Sequence, residues 1–292
     1  MGNQDAGKMP QPQGYYDVKN VEAGLVKEFR SELIFNLFYK IFDVVHAETD
    51  AQKEAAHRLR YQVFCVENQG FEDPSAHPDG LETDEFDSMA EHVLLIYKAT
   101  GEAVGTCRII KPKEDDWASS FPLQNICSSP LLHDENYVKN SCEFSRFCLS
   151  REKMNRIREE LTSKNPLFSK GDGRFTFYEK PLLKIALSMA SLGIIRGVFE
   201  LAMKHQLLNV FAVMEPRHLS RMEQAGLVHE QIGPEVNYHG IRRPFMCNIL
   251  EVLDNAIVNN HDIWKVVSVK GLNHRLAREI YDLKMSMAKI AS

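Results

Sequence analysis

Apolar positions along this chain fall into two rhythms, short runs of strand-forming residues and longer stretches with apolar residues three and four apart. The run "FYKIFDVVHA" (38–47) reads as a first strand. Thr49 followed by Gln52 is a capping-box pair, and Ala55, Ala56, Leu59 and Val63 then recur at helical spacing, which predicts a helix to about Phe64 with Arg60 near its end. Residues 70–83, rich in Pro, Gly, Asp and Glu, mark a loop. "HVLLIYKA", the pair Thr100-Gly101 and "EAVGTCRII" read as a hairpin. Pro112, Pro122 and Pro130 make 111–140 irregular, "CEFSRFCL" (142–149) is a further strand, "REKMNRIREEL" a charged helix, and 162–179 an excursion from the core.

The longest apolar segment, Pro181 to Gln206, is interrupted by Lys184, Arg196 and Glu200 before it reaches the length of a bilayer span. It reads as a buried helix with Pro181 in its first turn. "NVFAVME" follows as a strand, "PRHLSRMEQAG" as a short helix opened by Pro216 and stopped by Gly226, "RPFMCNILEV" as a last strand, and the final forty residues as helix. The alternation predicts an α/β (α+β) protein with one mixed sheet covered by helices. The expected organisation is a polar tail over 1–30, a catalytic domain over 31–252 that includes the excursion, and a helical extension over 253–292.

Composition narrows the classes. A chain of 292 residues with 44% hydrophobic and 26% charged residues can bury one large core. A formal net charge of -5 gives no bulk reason to expect nucleic acid. The six cysteines form no CxxC pair and lie mostly in apolar stretches, which fits a reducing cytoplasm. The N-terminal residues lack the apolar stretch of a secretion signal.

Six charges are unusual for where they stand. Arg60, Asp84, Asp87, Arg108, Glu143 and Arg146 recur inside "HRLRYQVFCVE", "GLETDEFDSMAEHVLLIY", "GEAVGTCRIIKP" and "SCEFSRFCLS", close to predicted core. Charges in such places must be paired or must bind something charged. The succession Arg60-x-x-x-Phe64, Asp84-x-x-Asp87, Gly105-x-x-Arg108 and Glu143-x-Ser145-Arg146-Phe147 resembles the signature of the autoinducer synthases that make acyl-homoserine lactones, enzymes of the N-acetyltransferase (GNAT) fold. "RYQVFCVE", "GLETDEFD", "EHVLL", "SRFCLS", "GPEVNYHGIRRP" and "VMEPRHLSRMEQAGL" resemble more closely the acyltransferases associated with the PEP-CTERM/exosortase system of bacteria. N-acyl amino acid synthases are more distant relatives.

The resemblance implies a GNAT-like fold whose central mixed, mostly antiparallel sheet is flanked by helices. It implies transfer of a fatty acyl group from a thioester to the amine of an amino acid or similar small acceptor. No permanently bound cofactor and no metal are expected. The segment "SREKMNRIREE" lacks the glycines with which acyl-CoA enzymes hold a pyrophosphate, so acyl carrier protein is the more natural donor, with acyl-CoA the other. Arg217, Arg221, Arg242 and Arg243 could receive such an acidic partner. A lipidic product could bring peripheral membrane contact.

Glu143 is the candidate general base, because a protonated amine must lose a proton to attack and a desolvated carboxylate has a raised pKa. Arg60, Phe64, Asp84, Asp87, Arg108, Ser145 and Arg146 are candidate substrate-binding residues. Arg108 could fork onto an amino-acid carboxylate while an aspartate takes its ammonium group, or the same charges could pair with one another and hold a loop. Glu143 and Arg146 lie on opposite faces of a regular strand and converge only across a bulge, which the pattern therefore predicts. His92 and His239 read as structural, and Phe64 as core or as the wall of an acyl tunnel. A homoserine-lactone synthase and a non-catalytic acyl-binding module are the alternatives.

Overall fold

The computed structural model describes residues 18–291 except 70 and 163–178. The expected excursion over 162–179 therefore lies almost wholly outside the described residues. Helix α1 (Val18–Ile41) leads into β1 (Phe42–His46). Ile34, Leu37, Phe38 and Ile41 all lie in the core at helical spacing, so the apolar run at 38–47 is half helix and half strand. Helical structure also begins within the stretch expected to be a polar tail. Helix α2 (Asp50–Tyr61) carries the predicted capping box: Thr49 Oγ1 accepts from the Gln52 N–H, and Gln52 Oε1 accepts from the Thr49 N–H. Its continuation over Gln62–Glu67 is a π-helix.

The hairpin β2 (Ala90–Tyr97) and β3 (Glu102–Ile110) forms as expected, followed by irregular chain containing the short α3 (Glu135–Lys139), then β4 (Ser141–Leu149) and α4 (Arg151–Thr162). The long apolar segment is two helices, α5 (Leu183–Ser188) and α6 (Ala190–Lys204), bent by 52° at Met189. Next come β5 (Asn209–Met214), α7 (Pro216–Gln224) ended by Gly226 at φ +82°, and three strands, β6 (Glu230–Gln231), β7 (Val236–Asn237) and β8 (Ile241–Asn248). The last strand stops earlier than expected. Asn248 Oδ1 accepts from the Leu250 and Glu251 N–H groups, so "ILEV" opens α8 (Ile249–Asn259) instead of extending the sheet. Helices α9 (His261–Val267) and α10 (Leu272–Ala291) complete the expected helical end.

The sheet runs β1-β2-β3-β4-β5-β8-β6, with β7 beside β8, and every pairing is antiparallel except β4 with β5. Helix α6 covers one face and brings its backbone close to the strands through glycine. A Cβ on Gly197 would lie 2.5 Å from Val93 Cγ1 and 2.8 Å from Val44 Cγ1. Gly197→Val is expected to lower stability by about 2–3 kcal/mol through overpacking, read as a lower urea midpoint with an unchanged slope. Among the described residues no single helix is long and apolar enough to cross a membrane.

Two features of β4 shape the site. It pairs with β5 only from Ser141↔Asn209 to Phe144↔Ala212, although both strands continue, so the two part beyond Phe144. Its register against β3 also shifts between Thr106↔Cys148 and Arg108↔Ser145, leaving Arg146 and Phe147 opposite Cys107 alone. That is the predicted bulge, with Arg146 in the left-handed region at φ +54°. Phe144 and Phe147 both pack on the α6 side of the sheet. Consecutive Ser145 and Arg146 both meet charged partners on the opposite side.

Candidate active site

The bulge turns Arg146 toward Glu82, not Glu143. Arg146 Nε donates to Glu82 Oε1 at 2.9 Å, and Nη2 lies 3.0 Å from Asp84 Oδ2. Arg108 forks onto Asp84, with Nη1 to Oδ1 at 2.6 Å and Nη2 to Oδ2 at 2.7 Å; Nη1 also lies 2.7 Å from Asp87 Oδ1, and Nε donates to Ser145 Oγ at 2.9 Å. Arg60 forks onto Asp87 at 2.6 and 3.0 Å and donates through Nε to Glu82. The result is a closed ring of alternating charge: Arg60, Glu82, Arg146, Asp84, Arg108, Asp87 and back to Arg60. Each carboxylate bridges two guanidinium groups.

The ring is built from three parts of the fold. Arg60 sits at the end of α2, Arg108 and Arg146 on adjacent strands, and the acids on the loop before β2. Asp84 caps the 3-10 turn Glu85–Met89 by accepting from the Phe86 N–H, while Asp87 Oδ2 accepts from the Asp84 N–H at 2.8 Å. Arg60, Arg108 and Glu82 are buried, and the Arg146 and Asp84 side chains are 13% and 24% exposed, so the ring opens to solvent on that side. Burial opposes ionisation of Glu82, Asp84 and Asp87, but their guanidinium partners win and hold all three pKa values below the ordinary range. These acids are ionised in the fold at pH values where the unfolded chain binds protons. Their stabilisation is present above about pH 4 and is lost as pH falls. The urea midpoint is expected to drop steeply below that pH.

Of the predicted binding residues, Arg60, Asp84, Asp87, Arg108, Ser145 and Arg146 therefore meet one another. Phe64 packs with Leu59, Val63 and Cys148 and stacks on Phe71 at 4.8 Å. Glu143 stands apart from the ring. Strand pairing sets it beside Ile110 and Phe211, and Leu123 donates its N–H to Glu143 Oε2 at 2.9 Å. Burial among these apolar groups pushes its pKa up to about 8, with the Leu123 N–H and the Arg108 and Arg146 charges opposing. It stands one residue before the point where β4 and β5 part.

Sequence spacing concealed two contributors, Glu82 and His57. Glu82 lies within the same acidic stretch as Asp84, but nothing in its spacing separates a ring member from a loop acid. His57 and His92 come within reach of Asp87, with Nε2 atoms 3.9 and 3.6 Å from its Oδ1. Together the three have the residue types of a metal site. The donor set does not suit a cation: Asp87 already accepts from Arg60, Arg108 and the Asp84 N–H, and two guanidinium charges adjoin it. Burial followed by the Arg60 charge lowers the pKa of both imidazoles, that of His92 to about 3. His239, at φ +50°, stacks on Phe71 at 4.7 Å, and its Nδ1 lies 2.8 Å from Phe71 O. The predicted basic face is partly neutralised, since Arg217 and Arg242 adjoin Glu215 and Arg243 pairs with Glu235.

Residues 59–162 match the family described as an acetyltransferase (GNAT) domain. That span contains the whole ring and Glu143. The chain carries a GNAT-type acyltransferase domain. Solved structures similar to the chain are distant. FeeM, an N-acyl amino acid synthase from uncultured soil microbes, is 14% identical with a TM-score of 0.49, over 75% of this chain and 97% of FeeM. TofI, in a ternary complex with an inhibitor and MTA, is 19% identical with a TM-score of 0.48, over 74% and 96%. BjaI, a CoA-dependent acyl-homoserine lactone synthase, is 20% identical with a TM-score of 0.46, over 76% and 89%. No curated protein matches the chain.

Proposed function

We propose that this protein is an N-acyltransferase that moves a fatty acyl group from an acyl carrier protein thioester to the amine of a small acceptor such as an amino acid, with Glu143 as general base. The observation that carries the reading is Glu143 itself, a buried carboxyl raised to about 8 and placed where the two central strands part. A purely structural acid on this strand would be expected to join the ring, as Glu82 does. The acceptor's ammonium group first loses a proton through Glu143 to solvent, and the neutral amine nitrogen then attacks the thioester carbonyl to form a C–N bond. The carbonyl electrons move onto oxygen and return to expel the thiolate, and the amine proton passes through Glu143 to the departing sulfur. Beyond Phe144 the β4 backbone has β3 on one side and no strand on the other, which leaves main-chain donors available to the oxyanion.

The donor is argued from the start of α4. A helix N-terminus without its own cap attracts phosphate, but here the Glu67 carboxylate accepts from Ser150 Oγ and from the Arg151 N–H. A resident anion at that position disfavours a CoA pyrophosphate and supports a carrier-protein thioester. The six cysteines are buried free thiols, which fits a reducing compartment such as the cytoplasm. Burial raises the pKa of five of them, Cys107 and Cys247 to about 12, so direct transfer is favoured over a cysteine relay. The shared wording noted above supports a place among the exosortase-associated acyltransferases. Mass spectrometry of lipid extracts from a host expressing the protein tests the reading. New N-acylated amines absent from a Glu143→Gln control are expected, and extracts with no acylated amine would overturn it.

A further inference from the structure

The ring balances three guanidinium groups against three carboxylates, and a fourth carboxylate, Glu72, is left over beside it. Glu72 Oε1 lies 3.6 Å from Arg146 Nη2 and 3.8 Å from His239 Nε2, both beyond hydrogen-bond reach, and its side chain is 19% exposed. It stands at the solvent-open side of the ring, next to Asp84 and Arg146. Its position is fixed from behind: the Glu72 N–H donates to Phe64 O at 3.3 Å, and Phe71 is held between Phe64 and His239 in stacks at 4.8 and 4.7 Å, each tilted by 21°. Arg242 lies over the Phe71 ring at 5.9 Å. The β7–β8 turn thus brings His239 to Glu72 from one side, as the β4 bulge brings Arg146 from the other. Both residues are held in the left-handed backbone region, at φ +50° and +54°.

This arrangement bears on how an acceptor is recognised. Arg108 has Nη1, Nη2 and Nε all engaged within the protein, and Arg60 is fully enclosed, so neither is free to fork onto an incoming carboxylate. Asp84 and Asp87 are likewise spent on Arg60, Arg108 and Arg146. An arriving cation, by contrast, meets one carboxylate without a hydrogen-bonded partner among the described residues, beside a flat aromatic wall. We propose that Glu72 is the residue that recognises the acceptor, binding it through a cationic ammonium group, and that the His239–Phe71 stack forms the adjoining wall. Selection is then for positive charge on the amine and not for a carboxylate. The proposal rests on the acyl-transfer reading of the same site.

The test is Glu72→Gln, assayed for thiol release from acyl carrier protein thioester with two acceptor sets, free amino acids and the matching amino-acid amides. Wild type is expected to use both sets. Glu72→Gln should raise the acceptor KM at least tenfold while leaving kcat and the donor KM unchanged. An unchanged acceptor KM, or wild-type turnover with free acids alone, would overturn the assignment while leaving acyl transfer standing. Propylammonium chloride and sodium propionate, titrated against wild type and Glu72→Gln by NMR, separate the two readings. Propylammonium binding by wild type that is lost in the variant, with no thiol release from any amine, would uphold the site and overturn acyl transfer. Equal binding of both ions would overturn the site. Glu72 lies outside the ring, so the variant should keep the wild-type thermal midpoint.

Discussion

Glu143→Gln is expected to make the protein more stable and nearly inactive at once. The folded carboxyl titrates near 8 against an ordinary 4.5. Both folded and unfolded chains are protonated below about pH 4.5, so the side chain then costs nothing. As pH rises, the unfolded chain ionises first, and the penalty grows until the folded carboxyl ionises near pH 8. Each unit of difference is worth about 1.4 kcal/mol, which makes the wild-type penalty about 3–5 kcal/mol at pH 8. Glutamine keeps an acceptor for the Leu123 N–H and cannot ionise, so the urea midpoint of the variant should exceed that of wild type at pH 8 and match it at pH 4.5. Activity should fall by about 10²–10⁴-fold, the usual contribution of general base catalysis. A wild-type pH–rate profile that rises through about 8, with that limb missing from the variant, would tie both effects to the same proton.

Arg108→Met should have the largest effect on folding. Arg108 is buried and shared by Asp84, Asp87 and Ser145. Deleting one partner of a buried charge network leaves carboxylates stranded in a poor solvent, at a cost of about 3–5 kcal/mol. That is a large fraction of the roughly 5–15 kcal/mol stability of a typical domain. A thermal scan should show a fall of about 6–20 °C or no cooperative transition. Arg108→Lys restores charge without the fork and should recover only part of the loss. A variant with wild-type melting would show that the ring does not hold the acidic loop to the sheet.

The start of α2, the hairpin, the order of the chemistry-bearing strands and the β4 bulge are legible because each depends on local signals, such as a capping pair or an alternating run. The first strand was misread because Phe38 and Ile41 are apolar in a run where helix and strand share the same letters. The end of the sheet is hidden because the apolar residues after Asn248 suit strand and helix alike, and the cap that decides for helix is a single side chain. In the site, mutual pairing of the arginines with Asp84 and Asp87 was one of the two readings the sequence left open, and the structure shows that pairing. Glu82 closes the ring beside Arg146, where Glu143 was expected, and Glu72 lies 3.6 Å from Arg146 at the ring's open side. Those distinctions depend on which carboxylate a folded loop carries to a guanidinium, and spacing along the chain does not encode that.

The most direct measurement is amine-dependent thiol release by the purified protein, with acyl carrier protein thioester as donor and a pool of amino acids as acceptors. The account predicts release that requires both the amine and Glu143, with acyl-CoA a poorer donor. Release at the wild-type rate by Glu143→Gln, or none from any thioester and amine, would contradict it.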